Sequence, residues 1–188
     1  MSYTVPASQT PSESFLNPDA IVSEFGIVPG MRIADFGSGA GHIAILIAQR
    51  AGENGTVTAI DIMEEKLDSV RVKAKAAGIT TIETVRANLE VLGSSGLAEQ
   101  SQDIAILVNI LFQSIKKADI LKEAKRVIRP GGTIVVVDWK KRTGGFGPPD
   151  ELRTDEVAMQ TLISSEGFTF GRTFNAGQFH YGLIFTKS

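Results

Sequence analysis

Three glycines and an acid fall within seven consecutive residues, Asp35-Phe36-Gly37-Ser38-Gly39-Ala40-Gly41, and a second acid, Asp61, lies twenty residues past the last glycine. Alternating glycines let the main chain approach a ligand closely, and the N–H groups that open the following helix attract an anion. A dinucleotide turn of the form G-x-G-x-x-G needs glycine at position 42, which is His42, and no G-K-S/T sequence marks a nucleoside-triphosphate loop. A diphosphate gains nothing from a carboxylate two residues ahead of the turn. A ligand carrying both a cation and a carboxylate does, because Asp35 can pair with the one and the turn's N–H groups with the other.

Such a turn has to sit between a buried strand and a helix, and the flanking sequence supplies both. "MRIADF" reads as the strand and "HIAILIAQRAG" as an apolar helix closed by Gly52. Upstream, Asn17 and Pro18 start a short helix that Gly26 stops. The alternation then repeats: strand "GTVTAID", a helix with Leu67, Val70, Ala74 and Ala77 on one stripe, strand "TIETVRAN", and the continuously apolar "DIAILVN", which suits a central strand covered on both faces. A helix over about 115–127 follows, then a turn at "RPGG", the buried strand "TIVVVDW", the loop "KKRTGGFGPP", and a helix over "DELRTDEVAMQTLISSEG". "FTFGRTF" and "QFHYGLIFTK", joined by "NAG", read as two antiparallel strands. Strands alternating with helices imply an α/β fold with a mainly parallel sheet and right-handed crossovers.

The 188 residues suffice for one core, and an apolar content of 43% with 21% charged residues is that of a folded globular chain. Residues 1–14, rich in Ser, Thr and Pro, are expected to form a flexible arm, with a single domain over 15–188. A net charge of −2 supplies no global pull toward nucleic acid or an anionic membrane. The lack of cysteine excludes a disulfide framework, a thiolate zinc site and thiolate nucleophilic catalysis, and no metal site is expected. No apolar run reaches the ~20 residues of a membrane span and the polar start is unlike a signal peptide, so a cytoplasmic location is expected.

"DFGSGAG" fits the form (D/E)-x-G-x-G-x-G, and "VTAID", "VRANLE", "DIAILVN" and "RPGGTIVVVD" follow it in order. Together these segments resemble the motifs of class I S-adenosylmethionine-dependent methyltransferases, specifically the small ubiquinone/menaquinone-type (methyltransferase type 11-like) branch. The resemblance implies a Rossmann-like, mainly parallel seven-stranded sheet with helices on both faces and a C-terminal antiparallel hairpin. It also implies S-adenosylmethionine as cofactor. Asp35 and the loop carbonyls would pair its ammonium, while the loop Phe36, Gly37, Ser38, Gly39 and Gly41 would receive its carboxylate. Asp61 would accept both ribose hydroxyls; its alternative is a helix-capping acid before "MEEK". Ile62 and Met63 would form one wall against adenine and Leu89 the other, with plain core packing as the alternative for all three. Asn88 would meet the adenine amino edge, and Asn109, closing the fourth-strand motif, completes the cofactor set.

The acceptor's walls are expected from Phe15 in the N-terminal arm, Phe112 in "NILFQS", and Trp139 and Lys140 in the loop after the fifth strand. Amino-methylating relatives often carry (N/D)-P-P-(Y/F) at the fourth strand's end, where this chain has Asn109-Ile110-Leu111-Phe112, so that chemistry is disfavoured. For a base, Asp138 is one candidate, the alternative being a structural carboxylate capping the loop or pairing with Lys140. His42 is another, the alternative being a cover for the methionine end. His180, between Phe179 and Tyr181, reads as a satisfied edge-strand histidine. The run Lys140-Lys141-Arg142 suits a solvated loop, an anionic small substrate or a phosphate backbone. A small organic acceptor is the first reading; an RNA or protein substrate, with a homodimer enlarging the surface, is the second; a non-catalytic cofactor-binding protein is the third.

Overall fold

The computed structural model describes residues 16–141 and 147–188, so the expected arm, Phe15 and Arg142 lie outside the described residues. Asn17 accepts a hydrogen bond from Ala20 N at 3.2 Å and Pro18 takes the first helical position, which starts α1 (Pro18–Glu24) where the sequence places it. There follow β1 (Arg32–Phe36), α2 (His42–Ala51), β2 (Thr56–Asp61), α3 (Glu64–Ala76), β3 (Ile82–Arg86), β4 (Gln102–Val108), α4 (Lys117–Val127), β5 (Ile128–Trp139), α5 (Glu156–Ser165), β6 (Phe168–Asn175) and β7 (His180–Lys187).

The seven strands form one sheet in the order β3-β2-β1-β4-β5-β7-β6. Every pairing from β3 across to β5 is parallel; β7 pairs antiparallel with β5 and with β6. The continuously apolar β4 is indeed central. One face of the sheet buries Ile33, Ala59, Ile106 and Val135 against Ile21 of α1, Ile47 of α2 and Val70 of α3. The other buries Phe36, Leu107 and Val136 against Leu121 of α4 and Met159 of α5. Period-two alternation along each strand therefore serves both layers, which is why the strand sequences read as unbroken apolar runs.

Four local expectations are corrected. "RPGG" is not a free turn but an irregular start to β5: Ile128 pairs with Gln102, the register shifts, and Thr133 resumes opposite Ile104. The helix expected over 150–167 is divided, because the Asp155 side chain accepts from Val157 N at 3.0 Å and starts α5 at Glu156, leaving Asp150–Leu152 as a single 3-10 turn. Ala77 caps α3 and is exposed, so its buried stripe is Leu67, Val70 and Ala74. Finally, β7 lies between β5 and β6, so His180 is not on an edge strand.

Candidate active site

The strand order reverses between β1 and β4, and at such a switch point the loops leaving two neighbouring strands diverge to open a crevice at their carboxyl ends. A cavity of about 470 Å³ lies there, within the range of small-molecule sites. It is lined on one side by Gly37, Ser38 and Gly39, and elsewhere by Asp61, Ile62, Met63, Asn88, Leu89 and Asn109. Nine of the residues singled out from sequence thus meet around one space.

The glycine turn hangs from the neighbouring strand, since the N–H groups of Gly37 and Ser38 both donate to Ile60 O, at 2.8 and 2.9 Å. A Cβ on Gly37 would come within 2.6 Å of Ile110 Cδ1, in a backbone conformation (φ +75°) that already disfavours side chains. Gly39 shares the left-handed backbone (φ +52°) but differs in its surroundings: a Cβ there would meet nothing within 4 Å, and it would project from a residue that lines the cavity. Packing thus demands glycine at 37, whereas at 39 bare backbone leaves room for a ligand.

Asp61 ends β2 and ties the two halves of the site together. Its Oδ2 accepts from Gly39 N at 2.9 Å and its Oδ1 from Met63 N at 3.0 Å; Met63 is itself the cap of α3, so the second contact is an Asx turn ahead of the helix and not the helix cap the alternative called for. An ionised carboxylate has roughly four acceptor positions, leaving capacity for hydroxyl donors. Ile62 and Met63 are 56% and 44% exposed, so their apolar surfaces face the cavity and solvent instead of the core; Leu89 belongs to the core as well as to the cavity wall. Asn88 is exposed and holds its own turn, accepting from Glu90 N at 3.1 Å.

Three buried polar atoms have no hydrogen-bond partner among the described residues around this site: Asp35 Oδ2, Ser38 Oγ and Asn109 Oδ1. Burial, reinforced by the nearby Asp61 carboxylate, pushes the Asp35 carboxyl up to about 7. Asn109 carries φ +56°, a conformation that asparagine tolerates better than most residues, and its backbone is fixed by Asn109 N donating to Val137 O at 2.9 Å. Unpaired acceptors beside a carboxyl pushed toward neutrality fit a ligand that brings a cation and hydrogen-bond donors.

Other expected site residues lie elsewhere. His42 is exposed and faces Lys73, 3.2 Å from its Nζ, while the same ammonium donates to Ala40 O at 2.6 Å; the pair secures the turn from outside the cavity. Asp138 is buried, and both oxygens are engaged by backbone, Oδ2 by Phe112 N at 3.0 Å and Oδ1 by Trp139 N at 2.8 Å. Its contacts are those of the structural alternative, with burial pushing the carboxyl up to about 6. Phe112, Trp139 and Lys140 do not line the cavity, although Asp138 ties the Phe112 turn to the end of β5. The sequence reading missed Lys66, Glu90, Gln113 and Ser114, all of which do line it. Ser114 Oγ donates to Glu90 Oε1 at 2.6 Å across twenty-four residues of chain, a contact with no local sequence signal.

A family model described as "Methyltransferase domain" matches residues 27–169, and the chain belongs to that family. It is similar to the arsenite methyltransferase of Aquipseudomonas alcaligenes, 28% identical over 166 residues covering 82% of this chain and 47% of that protein. It is also similar to the ubiquinone/menaquinone biosynthesis C-methyltransferase UbiE of Shewanella sp. (strain ANA-3), 30% identical over 62% of this chain and 45% of that protein. The chain therefore spans about half the length of these curated relatives. Among solved structures, a SAM-dependent methyltransferase from Aquifex aeolicus superposes with TM-score 0.85 at 26% identity, covering 95% of this chain and 94% of the other. The [4+2]-cyclase SpnF shares the fold alone, with TM-score 0.76 at 17% identity over 90% and 79% of the two chains.

Proposed function

We propose that the protein transfers the methyl group of S-adenosylmethionine to a small organic acceptor. The observation that carries this reading is the division of one cavity into a polar glycine turn with unpaired buried acceptors and an exposed apolar wall, joined by Asp61. S-adenosylmethionine supplies an electrophilic methyl on a sulfonium. The chain's own residues have only to bind, orient and shield. Asp35 would pair with the ammonium, the turn's N–H groups would hold the carboxylate, Asp61 would accept the ribose hydroxyls, and Ile62, Met63 and Leu89 would flank the adenine, with Asn88 at its amino edge. Positioning of this kind accounts for much of the barrier lowering in a displacement whose electrophile is already activated.

The relatives named above act on arsenite or in quinone biosynthesis. A soft arsenic centre is best held by thiolates, and these 188 residues include no cysteine. This favours the organic acceptor that we assign. The net charge of −2 gives no electrostatic support for an RNA substrate. Among the described residues no helix is long and apolar enough to cross a membrane.

Calorimetric titration with S-adenosylhomocysteine tests the assignment. Saturable heat is expected for the wild type, with affinity lowered about 10- to 100-fold by Asp61→Ala through lost charge-assisted hydrogen bonds. NAD should give no heat. A wild-type protein that binds NAD, or that gives no heat with S-adenosylhomocysteine, overturns the reading.

A further inference from the structure

His180 is 2% exposed, and neither ring nitrogen has a hydrogen-bond partner among the described residues. Leaving buried polar atoms unpaired costs about 1–3 kcal/mol each, so an imidazole unpaired at both nitrogens calls for an explanation. It lines a second recess of about 360 Å³ with Lys140, Glu156, Asn175 and Tyr181. Four of the other polar side chains there are engaged. Tyr181 Oη donates to Thr154 O at 3.2 Å, Asn175 Oδ1 accepts from Gly177 N at 2.9 Å, Glu156 Oε1 accepts from Gln160 Nε2 at 3.4 Å, and Lys140 Nζ donates to Gly177 O at 3.1 Å. Of the buried polar side chains in the recess, His180 is the one with no partner among the described residues.

The ring is held in place from one side by Trp139, with centroids 4.1 Å apart, and Arg153 lies over that indole at 5.5 Å. Burial pushes the imidazole down to about 4, and the two charges that act further on it, Lys140 and Arg153, are both cations. The ring is therefore neutral at physiological pH, with one N–H to donate beside these two cations. Glu156 is an opposing charge in the recess, and the carboxylates of Asp138, Glu156 and Asp155 act on the neighbouring Tyr181, whereas the charges acting on the His180 ring are Lys140 and Arg153.

The recess also lies at the right end of the sheet. Trp139 is opposite His180, and the register that places Val108 beside Val137 puts Asn109, at the cavity, level with Asp138. From β4 to β7 there are two strand spacings, so the two strands run about 10 Å apart in the sheet. We propose that this recess is an acceptor subsite that takes a carboxylate, with the His180 N–H and the Lys140 ammonium as its donors, so that the acceptor is an organic acid whose reactive atom reaches toward Asn109. Its role as an acceptor subsite rests on the methyl-transfer reading; the affinity for carboxylate does not.

The chain has two histidines, so imidazole ¹⁵N–¹H correlation spectra resolve His180 with His42 as an internal control. Titration with benzoate should shift the His180 signals saturably, leave His42 unmoved, and proceed equally with S-adenosylhomocysteine present. Lys140→Met should weaken the response about tenfold and Lys140→Arg should restore it. His180→Phe, which keeps the stacking on Trp139, should leave S-adenosylhomocysteine affinity unchanged while abolishing benzoate binding followed by calorimetry. His180 signals indifferent to benzoate at millimolar concentrations, an equal response to neutral benzamide, or competition with S-adenosylhomocysteine would each overturn the subsite. Failure of S-adenosylhomocysteine to bind, with the benzoate response intact, would instead overturn methyl transfer and the acceptor role.

Discussion

The carboxyl of Asp35 is 2% exposed, sits one residue before the end of β1 beside the bare turn, and is pushed up to about 7 by burial and by Asp61. Because the folded protein binds this proton more tightly than the unfolded chain, stability from the group is complete below about pH 4 and is lost as pH rises toward 7. Above that the charged, buried carboxylate is a standing cost that a bound cation relieves. Asp35→Asn should therefore raise the melting temperature at pH 8 and leave it little changed at pH 4, while weakening S-adenosylhomocysteine. In the wild type that affinity should climb as pH rises toward 7 and then level off; the variant's profile should be flat. Calorimetry across this range, beside thermal melts, checks both halves. A variant that binds as tightly as the wild type at pH 8 would remove Asp35 from the site. The acid itself was legible in sequence, since its spacing to the glycines is local. Its perturbed protonation was not, because burial depends on strands contributed from elsewhere in the chain.

Two carboxylates set the loops that close the cavity, and neither needs to touch a ligand to matter. Glu123 of α4 is fully buried; it accepts from Gly93 N at 2.7 Å, Ser95 N at 3.3 Å and Arg126 Nε at 2.9 Å, fixing the segment that follows Leu89 and Glu90. Those hydrogen bonds outweigh burial and hold its carboxyl down at about 2, so the stability it contributes is complete above its ordinary value of 4.5 and is lost as pH falls from there toward 2. Glu123→Gln, which leaves Arg126 without its charge partner, should cost about 3 kcal/mol in denaturant unfolding at pH 7, with the difference shrinking in acid. Equal stabilities at pH 7 would show that the network is not a clamp. Asp138 does the corresponding job for the 110–113 turn, receiving two backbone N–H groups. Asp138→Asn presents an amide N–H to one of these donors, so it should lower both the melting temperature and S-adenosylhomocysteine affinity. A variant with unchanged stability and binding but abolished turnover would restore Asp138 as a base. Sequence could rank Asp138 as a candidate because it closes an apolar strand; it could not show that both oxygens are already taken, one of them by Phe112 N. Helix boundaries were legible where caps are local, as at Asn17, and misread where a second cap, Asp155, interrupts an amphipathic run.

At the scale of the whole molecule the strand order was readable in outline, since alternating apolar runs and helices leave few right-handed arrangements, but the insertion of β7 beside β5 was not. Two strands joined by "NAG" can add to a sheet in either order, and only burial of Leu183 and Phe185 against the α4–α5 layer selects the one found. That insertion places His180 inside the sheet and turns an expected edge residue into part of a recess. The cavity at the β1–β4 switch point draws on loops from β1 through β4, and its walls are ordered only in the folded chain. A ligand that bridges those loops binds the folded state alone, so its free energy adds to global stability. With S-adenosylhomocysteine at about 100 times its dissociation constant the gain is ~2.7 kcal/mol, which in a domain of this size raises the melting temperature by roughly 5–10 °C. Adenosine at the same concentration, which would meet the β2–β3 side but leave the glycine turn without a carboxylate and Asp35 without a cation, should bind more weakly and give a smaller shift. Asp61→Ala should reduce both, because Asp61 joins the turn to the wall at Met63. Equal shifts from adenosine and S-adenosylhomocysteine in thermal denaturation would mean that the turn between β1 and α2 contributes nothing, and the assignment of the bare glycines to the ligand's charged end would have to be withdrawn.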